Sequence, residues 1–408
     1  MRYGLALFAA ASAATLLTSG ASAQARQEAE VEELVVTGTR TEGRSRLDTL
    51  APVDVVSAEA LSRTGTTELA QSLSTVTPSI NFPRPAITDG TDHVRPATLR
   101  GLAPDQTLVL VNSTRRHASA LVNVNGSVGR GSAAVDLNAI PTVALETIEV
   151  LREGASAQYG SDAIAGVINL RLREAREGGG LSVTYGQYAT TVKTPRNTGG
   201  RDENDGQTVT VQGWTGLPLG PEGFVTLSGE YLQRDPTSRG DIDVRVNPPV
   251  INSRYGDPEV ESWNFYANAG LPLNETWGLY GWAGYQTREG ASAANPRALA
   301  GSTLAAATAL QAIYPTGFLP LIGADIEDVT AAVGLKGEVA GFNVDVNVVW
   351  GRNEINYSGL NTGNATYGAL SPTTFDDGGM SYDQLVLGID VARRVDVGFF
   401  EPLNVAFG

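Results

Sequence analysis

Two polar stretches, residues 81–93 and 115–131, combine arginine, histidine, asparagine and serine with small residues. Such side chains could bind an anionic metal chelate or a polyhydroxylated sugar, because guanidinium groups form paired hydrogen bonds with anionic oxygens. The candidate ligand-binding residues are Arg84, His93, Arg116, His117, Asn123, Asn125 and Arg130. The three arginines are the best candidates for anion binding. The alternative is that they are structural or solvated, since most surface arginines bind nothing.

Other kinds of chemistry have no support in the spacing of residues. The two histidines, His93 and His117, are far apart and the chain has no cysteine, so no metal-ligand pattern is present. Residues 126–131 form neither a Walker A motif nor a G-x-G-x-x-G fingerprint, and G-x-S-x-G and H-E-x-x-H do not occur. We therefore predict no enzyme activity, no resident metal and no cofactor.

The first 23 residues have the composition of a secretory signal peptide. Arg2 precedes a mainly apolar run over 3–17, and Ala21-Ser22-Ala23 forms an A-x-A cleavage site. The alternative, a transmembrane helix, would need about 20 apolar residues. We expect export and cleavage after Ala23.

The charge of the chain excludes one class of partner. With 29 basic and 44 acidic residues, the formal net charge is −15. Nucleic-acid binding depends on basic patches, so we expect no nucleic-acid partner. An exported chain without cysteine must also be held together without disulfides.

Two regions differ in their residue pattern. After a polar tail over 24–45, helix and strand signals alternate over 46–177, as in a compact mixed α+β domain. In it, residues 58–61 and 67–73 predict short helices, the second with Thr67 as N-cap. Residues 107–111 and 146–151 predict strands, and the three glycines at 178–180 mark the boundary.

The region 178–408 has the period-two pattern of half-buried strands. Val225, Leu227 and Tyr231 share one face, whereas Thr226 and Glu230 share the other. Further segments start near residues 181, 207, 261, 276, 331, 382 and 398. The predicted long connections are 190–206, 235–259, 289–328 and 352–381, and the predicted short ones are 216–222, 272–275, 340–341 and 394–397. Outer-membrane barrels show this rhythm of long loops and short turns, and a soluble β-sandwich would not.

We count about nine strands, whereas a bacterial barrel has an even number and must close. The predicted fold is therefore a mixed α+β domain followed by an incomplete antiparallel transmembrane β-barrel, with its apolar face toward outer-membrane lipid. On this pattern the chain is expected to be the N-terminal portion of a longer protein.

Residues 143–173, VALETIEVLREGASAQYGSDAIAGVINLRLR, resemble the end of the plug domain of TonB-dependent outer-membrane receptors. Other plug-like blocks precede this stretch in family order, at 52–56, 69–73, 99–102, 108–112 and 135–141. The resemblance covers 31–177 closely and the rest only in pattern. It implies a plug inside a barrel of about 22 strands. The chain departs from the family at Ala103 and Ser113, where glycine is usual, so Asn112-Ser113 must form a turn.

Residues 31–39, VEELVVTGT, resemble the TonB box, the segment that pairs with a strand of TonB in the periplasm. The resemblance implies that TonB is a partner and that pairing involves Glu33, Leu34, Val35, Val36 and Thr37. An extended peptide can add to a sheet edge through its main-chain hydrogen bonds. The alternative is the first strand of the plug, and the segment could change roles between states.

The resemblance also implies a role for Arg100 and Arg152. In the family, arginines in the matching LRG and VLREG motifs pair with barrel-wall carboxylates and lock the plug to the barrel, a task that suits bidentate arginine. The family's partner carboxylates lie on strands that we do not expect in this chain. The alternative is that both arginines are solvated.

The function implied by the resemblance is energised uptake of a scarce ligand, driven by TonB and its inner-membrane complex. A ferric siderophore or other iron chelate is favoured because the family most often serves iron, and cobalamin and oligosaccharides stay open. A porin would lack the plug, and a signalling receptor would need a domain before the coupling segment. A chain that cannot close a barrel could instead be a non-transporting remnant.

Overall fold

The computed structural model describes residues 34–35, 37, 44–45, 52–124, 129–297, 305–398 and 402–408. The expected signal peptide (1–23) and the candidate residues Glu33, Val36 and Asn125 lie outside the described residues. The described chain forms a small α+β domain followed by one sheet of long strands.

The small domain is built from short strands and helices. Its strands are β1 (Leu34–Val35), β2 (Arg44–Ser45), β3 (Val53–Ser57), β4 (Ile80–Asn81), β5 (Thr98–Leu99), β6 (Thr107–Val111), β7 (Thr114–Arg115), β8 (Leu145–Leu151) and β9 (Gly166–Leu172). Its α-helices are α1 (Ala58–Ser62), α2 (Leu69–Val76) and α3 (Ser156–Tyr159). Its 3-10 helices span Pro104–Gln106, Leu137–Ala139, Thr142–Ala144 and Ser161–Ala163. No helix in the described ranges is long and apolar enough to cross a membrane.

The main sheet of this domain has the order β3-β8-β9-β6-β7, in which only β6 and β9 are parallel. Two small antiparallel pairs, β1 with β2 and β4 with β5, lie beside it. The helices cover the apolar face of the sheet, where Leu61, Leu73, Ile148, Ile168 and Leu170 are fully buried. The domain therefore has a hydrophobic core, which continues onto Tyr266, Trp282, Ala332 and Val349 of the long sheet.

Local chemistry explains where the elements begin and turn. The Ser57 hydroxyl accepts a hydrogen bond from Ala60 N (3.2 Å) and caps α1. Asn112 and Ser113 both have positive φ, 47° and 66°, and form the two-residue turn between β6 and β7, which confirms the predicted turn. The prediction of Thr67 as an N-cap is wrong: α2 begins at Leu69, and the Thr67 hydroxyl instead bonds to Thr210 on the long sheet (2.8 Å).

The second region is a nine-stranded antiparallel sheet in chain order. Its strands are β10 (Gly179–Thr194), β11 (Asn197–Leu219), β12 (Gly223–Arg234), β13 (Glu259–Pro272), β14 (Trp277–Ala293), β15 (Leu321–Val339), β16 (Phe342–Leu360), β17 (Phe375–Val395) and β18 (Leu403–Phe407). One short helix, α4 (Ala305–Leu310), and a 3-10 turn at Gly368–Leu370 lie in its connections. Because β10 and β18 are its edges, the sheet is not closed, which confirms the predicted incomplete barrel of nine strands.

The strands are longer than their alternation predicted. The first long connection, expected over 190–206, is wrong: β10 and β11 continue as a hairpin and only two residues, 195–196, join them. Side chains support that extension, since the Thr191 hydroxyl donates to Asp202 across the ladder (2.7 Å). Likewise β15 begins at Leu321, inside the predicted loop 289–328. Polar residues thus continue the strands beyond the apolar pattern.

The two faces of the sheet differ as the alternation requires. Leu227, Trp263, Phe265 and Tyr285 are exposed on one face. The other face packs on the small domain. We call this face of β11–β16 the wall. Its buried residues are mostly polar; they include Thr226, Ser228, Glu230, Asn264, Gln286, Arg288, Asp328 and Asn353.

Candidate functional site at the contact between the small domain and the wall

The polar wall is matched by polar residues of the small domain, and the two surfaces meet in three buried clusters. Uncompensated burial of a charge is costly, so buried charges must be paired and hydrogen-bonded. In each cluster at least one partner comes from each region.

The first cluster joins the loop after β7 to β15 and β16. Arg116 Nη2 donates to Asp328 Oδ1 (2.5 Å) and His117 Nε2 lies 2.9 Å from Asp328 Oδ2. Asn353 Nδ2 also donates to Asp328 Oδ2 (3.0 Å), and its Oδ1 accepts from Ala120 N (2.7 Å). All of these side chains are buried, so one wall carboxylate is fully hydrogen-bonded, with Arg116 and His117 of the small domain supplying two of its three partners.

The state of His117 follows from its two ring nitrogens. Arg116 Nη1 lies 2.9 Å from His117 Nδ1, and because arginine can only donate, Nδ1 must accept. The ring proton is then on Nε2, which donates to Asp328. Burial and the charge of Arg116 lower the pKa of His117, against the opposing effect of Asp328. His117 is therefore neutral at this contact.

The second cluster centres on Glu68, at the start of α2. Its carboxylate is paired with Arg95 of the small domain (3.0 Å) and Arg234 at the end of β12 (2.9 Å), and it accepts from Asn138 Nδ2 (3.0 Å). Burial alone would raise the pKa of Glu68, but the positive charges of Arg95 and Arg234 outweigh it and lower that pKa to about 2. Glu68 is therefore charged throughout the physiological pH range.

The Glu68 cluster continues outward through a chain of ion pairs. Arg95 Nη2 also pairs with Asp257 (2.8 Å), which follows β12 in the long connection. Asp257 in turn pairs with Arg84, whose guanidinium lies 3.4 Å from the Tyr188 hydroxyl of β10. The small domain is thus bound to both the wall and a long connection.

The third cluster is formed by Arg288 of β14. Its Nη1 donates to Asp136 Oδ2 (2.8 Å) and to the carbonyl oxygen of His93 (3.1 Å). Gln286 lies on the same strand, two positions before Arg288, and its Nε2 donates to the Asn138 carbonyl oxygen (3.0 Å). Here the wall supplies the cation and the small domain supplies the carboxylate, the reverse of the first cluster.

A cavity of about 40 Å³ lies between α2, the segment 92–95 and strands β12–β14. Charged groups line it, among them Glu68, Asp92, Arg95, Glu230 and Arg288. Small-molecule sites usually have about 300 Å³ or more, so this cavity cannot admit a chelate or a sugar. Within the described ranges, no group of three or more His, Cys, Asp or Glu side chains is arranged to hold a metal ion.

The structure separates the candidate ligand residues into two groups. His93, Arg116, His117 and Asn123 are buried; Arg116 and His117 are used by Asp328. Arg84 is partly exposed and paired with Asp257, whereas Arg130 is exposed. Of the described candidates, Arg84 and Arg130 can therefore be reached from solvent in this arrangement.

Three residues of the predicted coupling segment are described, and each contacts another part of the chain. Leu34 and Val35 form β1 and pair with Ser45 and Arg44. Thr37 is fully buried, with its backbone N–H donating to Glu149 Oε2 (2.7 Å) and its hydroxyl bonded to the same oxygen. Its described residues Leu34, Val35 and Thr37 thus contact the chain's own residues, and the pairing of the segment with TonB stays a prediction.

Arg100 and Arg152 lie together at the small domain rather than at the wall. Arg100 Nη1 donates to the Arg152 carbonyl (3.0 Å), and the Arg152 guanidinium pairs with Asp54 of β3 (3.1 Å). Their role as a lock between the two regions stays a prediction. The described clusters join the regions through other residues.

The sequence did not single out several residues of these clusters: Glu68, Arg95, Asp136, Arg234, Asp257, Arg288 and Asp328. Some of them carried a usable signal. Arg234, Arg288 and Asp328 occupy the polar positions of alternating strands, but Asp328 fell inside a predicted loop, and Arg234 and Arg288 lay beside predicted loops. Extending the period-two pattern by a few residues would have placed all three on the face toward the small domain.

Comparisons with known proteins agree with this architecture. The family model described as TonB-dependent Receptor Plug Domain matches residues 45–167. The Vitamin B12 transporter BtuB of Vibrio cholerae is 30% identical over 173 residues, which cover 42% of this chain and 26% of that protein.

Two solved structures share the fold. The ferric enterobactin receptor PfeA of Pseudomonas aeruginosa has a TM-score of 0.58 and 17% identity, covering 86% of this chain and 48% of that one. The siderophore receptor PirA of Acinetobacter baumannii has a TM-score of 0.56 and 16% identity, covering 87% and 46%. The chain thus spans about half the length of these receptors.

The matched plug model, the order of plug and long-stranded sheet, and the fold shared with solved receptors lead to one assignment. The small domain is a plug, and the wall is part of an unclosed barrel. Residues 45–167 match the plug domain of TonB-dependent receptors, and the nine long strands that the structure describes after it share the fold of part of a receptor barrel.

Proposed function

We propose that this protein serves in the outer membrane for energised uptake of a scarce ligand, with a ferric siderophore or other iron chelate as the favoured ligand. The observation that carries the proposal is a plug held against the wall by buried ion pairs, such as Arg116 with Asp328. Ion pairs fix an orientation with little net gain over apolar packing. Such a contact suits a plug that must stay seated and still be displaced.

The expected domain arrangement supports the same reading: an exported chain, a tail over 24–45 with the coupling segment, a plug over 46–177 and barrel strands after it. The partners proposed are TonB with its inner-membrane complex, the small-molecule ligand and outer-membrane lipid. Arg84 and Arg130 are the candidates for first contact with an anionic ligand, because of the three candidate arginines these two are reached by solvent.

Cobalamin is the second candidate ligand, and a specific observation favours it. The curated relative with 30% identity is a vitamin B12 transporter, and its match covers 173 residues. The solved neighbours, at 16–17% identity, support the fold alone. An oligosaccharide is the third candidate, on the polar composition of the plug loops.

The test is uptake by cells that express the gene as it is encoded and lack their own receptors for the ligands tested. The panel contains radiolabelled ferric siderophores, cyanocobalamin and maltooligosaccharides, each measured with and without a protonophore. Proton-gradient-dependent uptake of an iron chelate supports the proposal, and uptake of cyanocobalamin alone would transfer it to the second candidate. Binding or passage that ignores the protonophore would contradict energised transport.

The coupling segment gives a separate prediction. Val35→Pro removes a backbone N–H that strand addition needs. We expect energised uptake to fall by more than about tenfold, a change equivalent to 1.4 kcal/mol, while ligand binding at the cell surface stays unchanged. Val35→Thr, which keeps the strand preference, is the matched control. Normal uptake by the proline variant would show that this segment does not couple to TonB.

A further inference from the structure

Both histidines of the chain lie in the plug, and each packs against a glycine of the barrel wall. The His117 ring lies on Gly351 of β16, so closely that a methyl group at that position would overlap the ring. The His93 ring lies on Gly290 of β14, where an added Cβ would be 2.7 Å from Nδ1. Both rings are buried. These are close steric matches between two regions that are far apart in sequence.

We propose that His93 and His117 are positioning residues that seat the plug in two glycine notches of the wall, and that protonation of His117 unseats its loop. Each notch admits a ring, and at His117 hydrogen bonds to Arg116 and Asp328 also fix the rotation of the ring. A glycine in a strand interior often marks such a close approach by another group. The proposal concerns how the plug is held, so it stands or falls independently of the ligand.

The chemistry around His117 explains why only its neutral form fits. Nδ1 faces the Arg116 guanidinium and Nε2 donates to Asp328. A second proton would have to go on Nδ1, where it meets the Arg116 donor at 2.9 Å. The two positive charges would then compete for the single carboxylate of Asp328.

Charged groups from several elements surround the His117 ring. Arg116 comes from its own loop, Asp328 from β15, and Asp136 acts from the segment beside β14. From β16 the facing residues are Gly351 and the neutral Asn353, and Tyr266 of β13 lies close to Arg116. Asp328 and Asp136 attract a protonated His117 and so raise its pKa. Burial and the charge of Arg116 lower that pKa more strongly, so it lies below its usual value.

The sign of the effect follows from linkage. Unfolded or undocked histidine binds a proton near pH 6.5, whereas docked His117 binds one only at lower pH. Docking is therefore at full strength above about pH 6.5 and weakens as the pH falls below that value. Below that pH, undocked His117 binds a proton that docked His117 does not bind, and this shifts the equilibrium toward the undocked loop.

The test measures loop exposure directly. Ala120 is buried and its backbone N–H donates to Asn353, so a thiol reagent can label Ala120→Cys at this position only when the loop leaves the wall. The chain has no cysteine of its own, and any cysteine that the gene encodes outside it is replaced by serine. The labelling rate is measured in the protein as its gene encodes it, purified in detergent, and corrected for thiol ionisation. Gly351→Ala should raise the rate about ten- to a hundredfold, the range expected for overpacking by a methyl group.

A double variant tests whether the ring is the cause. In a His117→Ala background, adding Gly351→Ala should change the rate less than about threefold, because the added methyl fills the space that the ring leaves. Gly186→Ala, on β10 where nothing lies within 4 Å of the new carbon, is the matched control and should have no effect. The same rise for Gly351→Ala with and without His117 would overturn the proposal.

The acid response is tested on the same label. In the otherwise unchanged protein, the rate should rise as the pH falls from about 7 to about 5, around the usual histidine pKa. His117→Gln, which stays neutral, should remove that rise, and His93→Gln should leave it in place. An acid response that survives His117→Gln would show that another group releases the loop.

Discussion

Replacing Asp328 with alanine is expected to unseat the plug loop around Arg116 more strongly than any other single change in the wall. In the docked loop, Arg116 and His117 would lose the carboxylate that both contact. Removing one partner of a buried ion pair typically costs about 3–5 kcal/mol, because the remaining charge is uncompensated. Thiol labelling at Ala120→Cys should therefore accelerate by roughly a hundred- to a thousandfold.

The control lies on the same strand. Asp325→Ala removes an equal charge from an exposed position of β15, and we expect a change within about 0.5 kcal/mol. Replacing the pair with apolar residues, Arg116→Met with Asp328→Leu, should cost less than Asp328→Ala alone, since no unpaired charge remains. Equal effects of Asp325→Ala and Asp328→Ala would show that net charge, and not the buried pair, governs docking.

The elements of the plug could be predicted because their signals are local. The helix at 58–61, the strands at 107–111 and 146–151 and the turn at Asn112-Ser113 all depend on residues close together in the sequence. The barrel strands were found for a similar reason, since alternation requires only one strand at a time. The error in their lengths came from polar residues that continue the ladder, as at Thr191 and Asp202.

The contacts of the candidate site could not be predicted in the same way. Arg116 and Asp328 are 212 positions apart, and alternation indicates which face Asp328 occupies but not which plug residue lies opposite. Residue type is also ambiguous. Arginine suits an anionic ligand and a carboxylate of the same chain equally well, so Arg116 and His117 were sensible ligand candidates that the fold uses internally.

The arrangement of charges indicates how the plug is oriented. In one cluster the plug supplies a cation, Arg116, and the wall supplies a carboxylate; at Arg288 and Asp136 the polarity is reversed. A plug rotated or shifted by one strand would bring like charges together, which costs several kcal/mol at close contact. The pairs therefore select one seating of the plug, whereas apolar packing alone would tolerate several.

The protonation of Glu68 makes the stability of the contact between plug and wall depend on pH in the acid range. The pKa of Glu68 is about 2 in the folded protein, against an ordinary value of 4.5. A lowered carboxyl pKa contributes stability that is complete above the ordinary value and is lost as the pH falls toward the folded value. The shift corresponds to about 3 kcal/mol, since the Glu68 carboxylate is held by Arg95 and Arg234 inside the contact.

We expect protection of the α2 amides against hydrogen exchange to fall by about 3 kcal/mol between pH 4.5 and pH 2, after correction for intrinsic rates. Glu68→Gln should lose a similar amount already at pH 7 and show no further step in acid, because it has no proton to bind. Glu59→Gln is the matched control: its pair with Arg63 is exposed, and such pairs contribute at most about 1 kcal/mol. An acid step that persists in Glu68→Gln would assign the pH dependence to a different carboxylate.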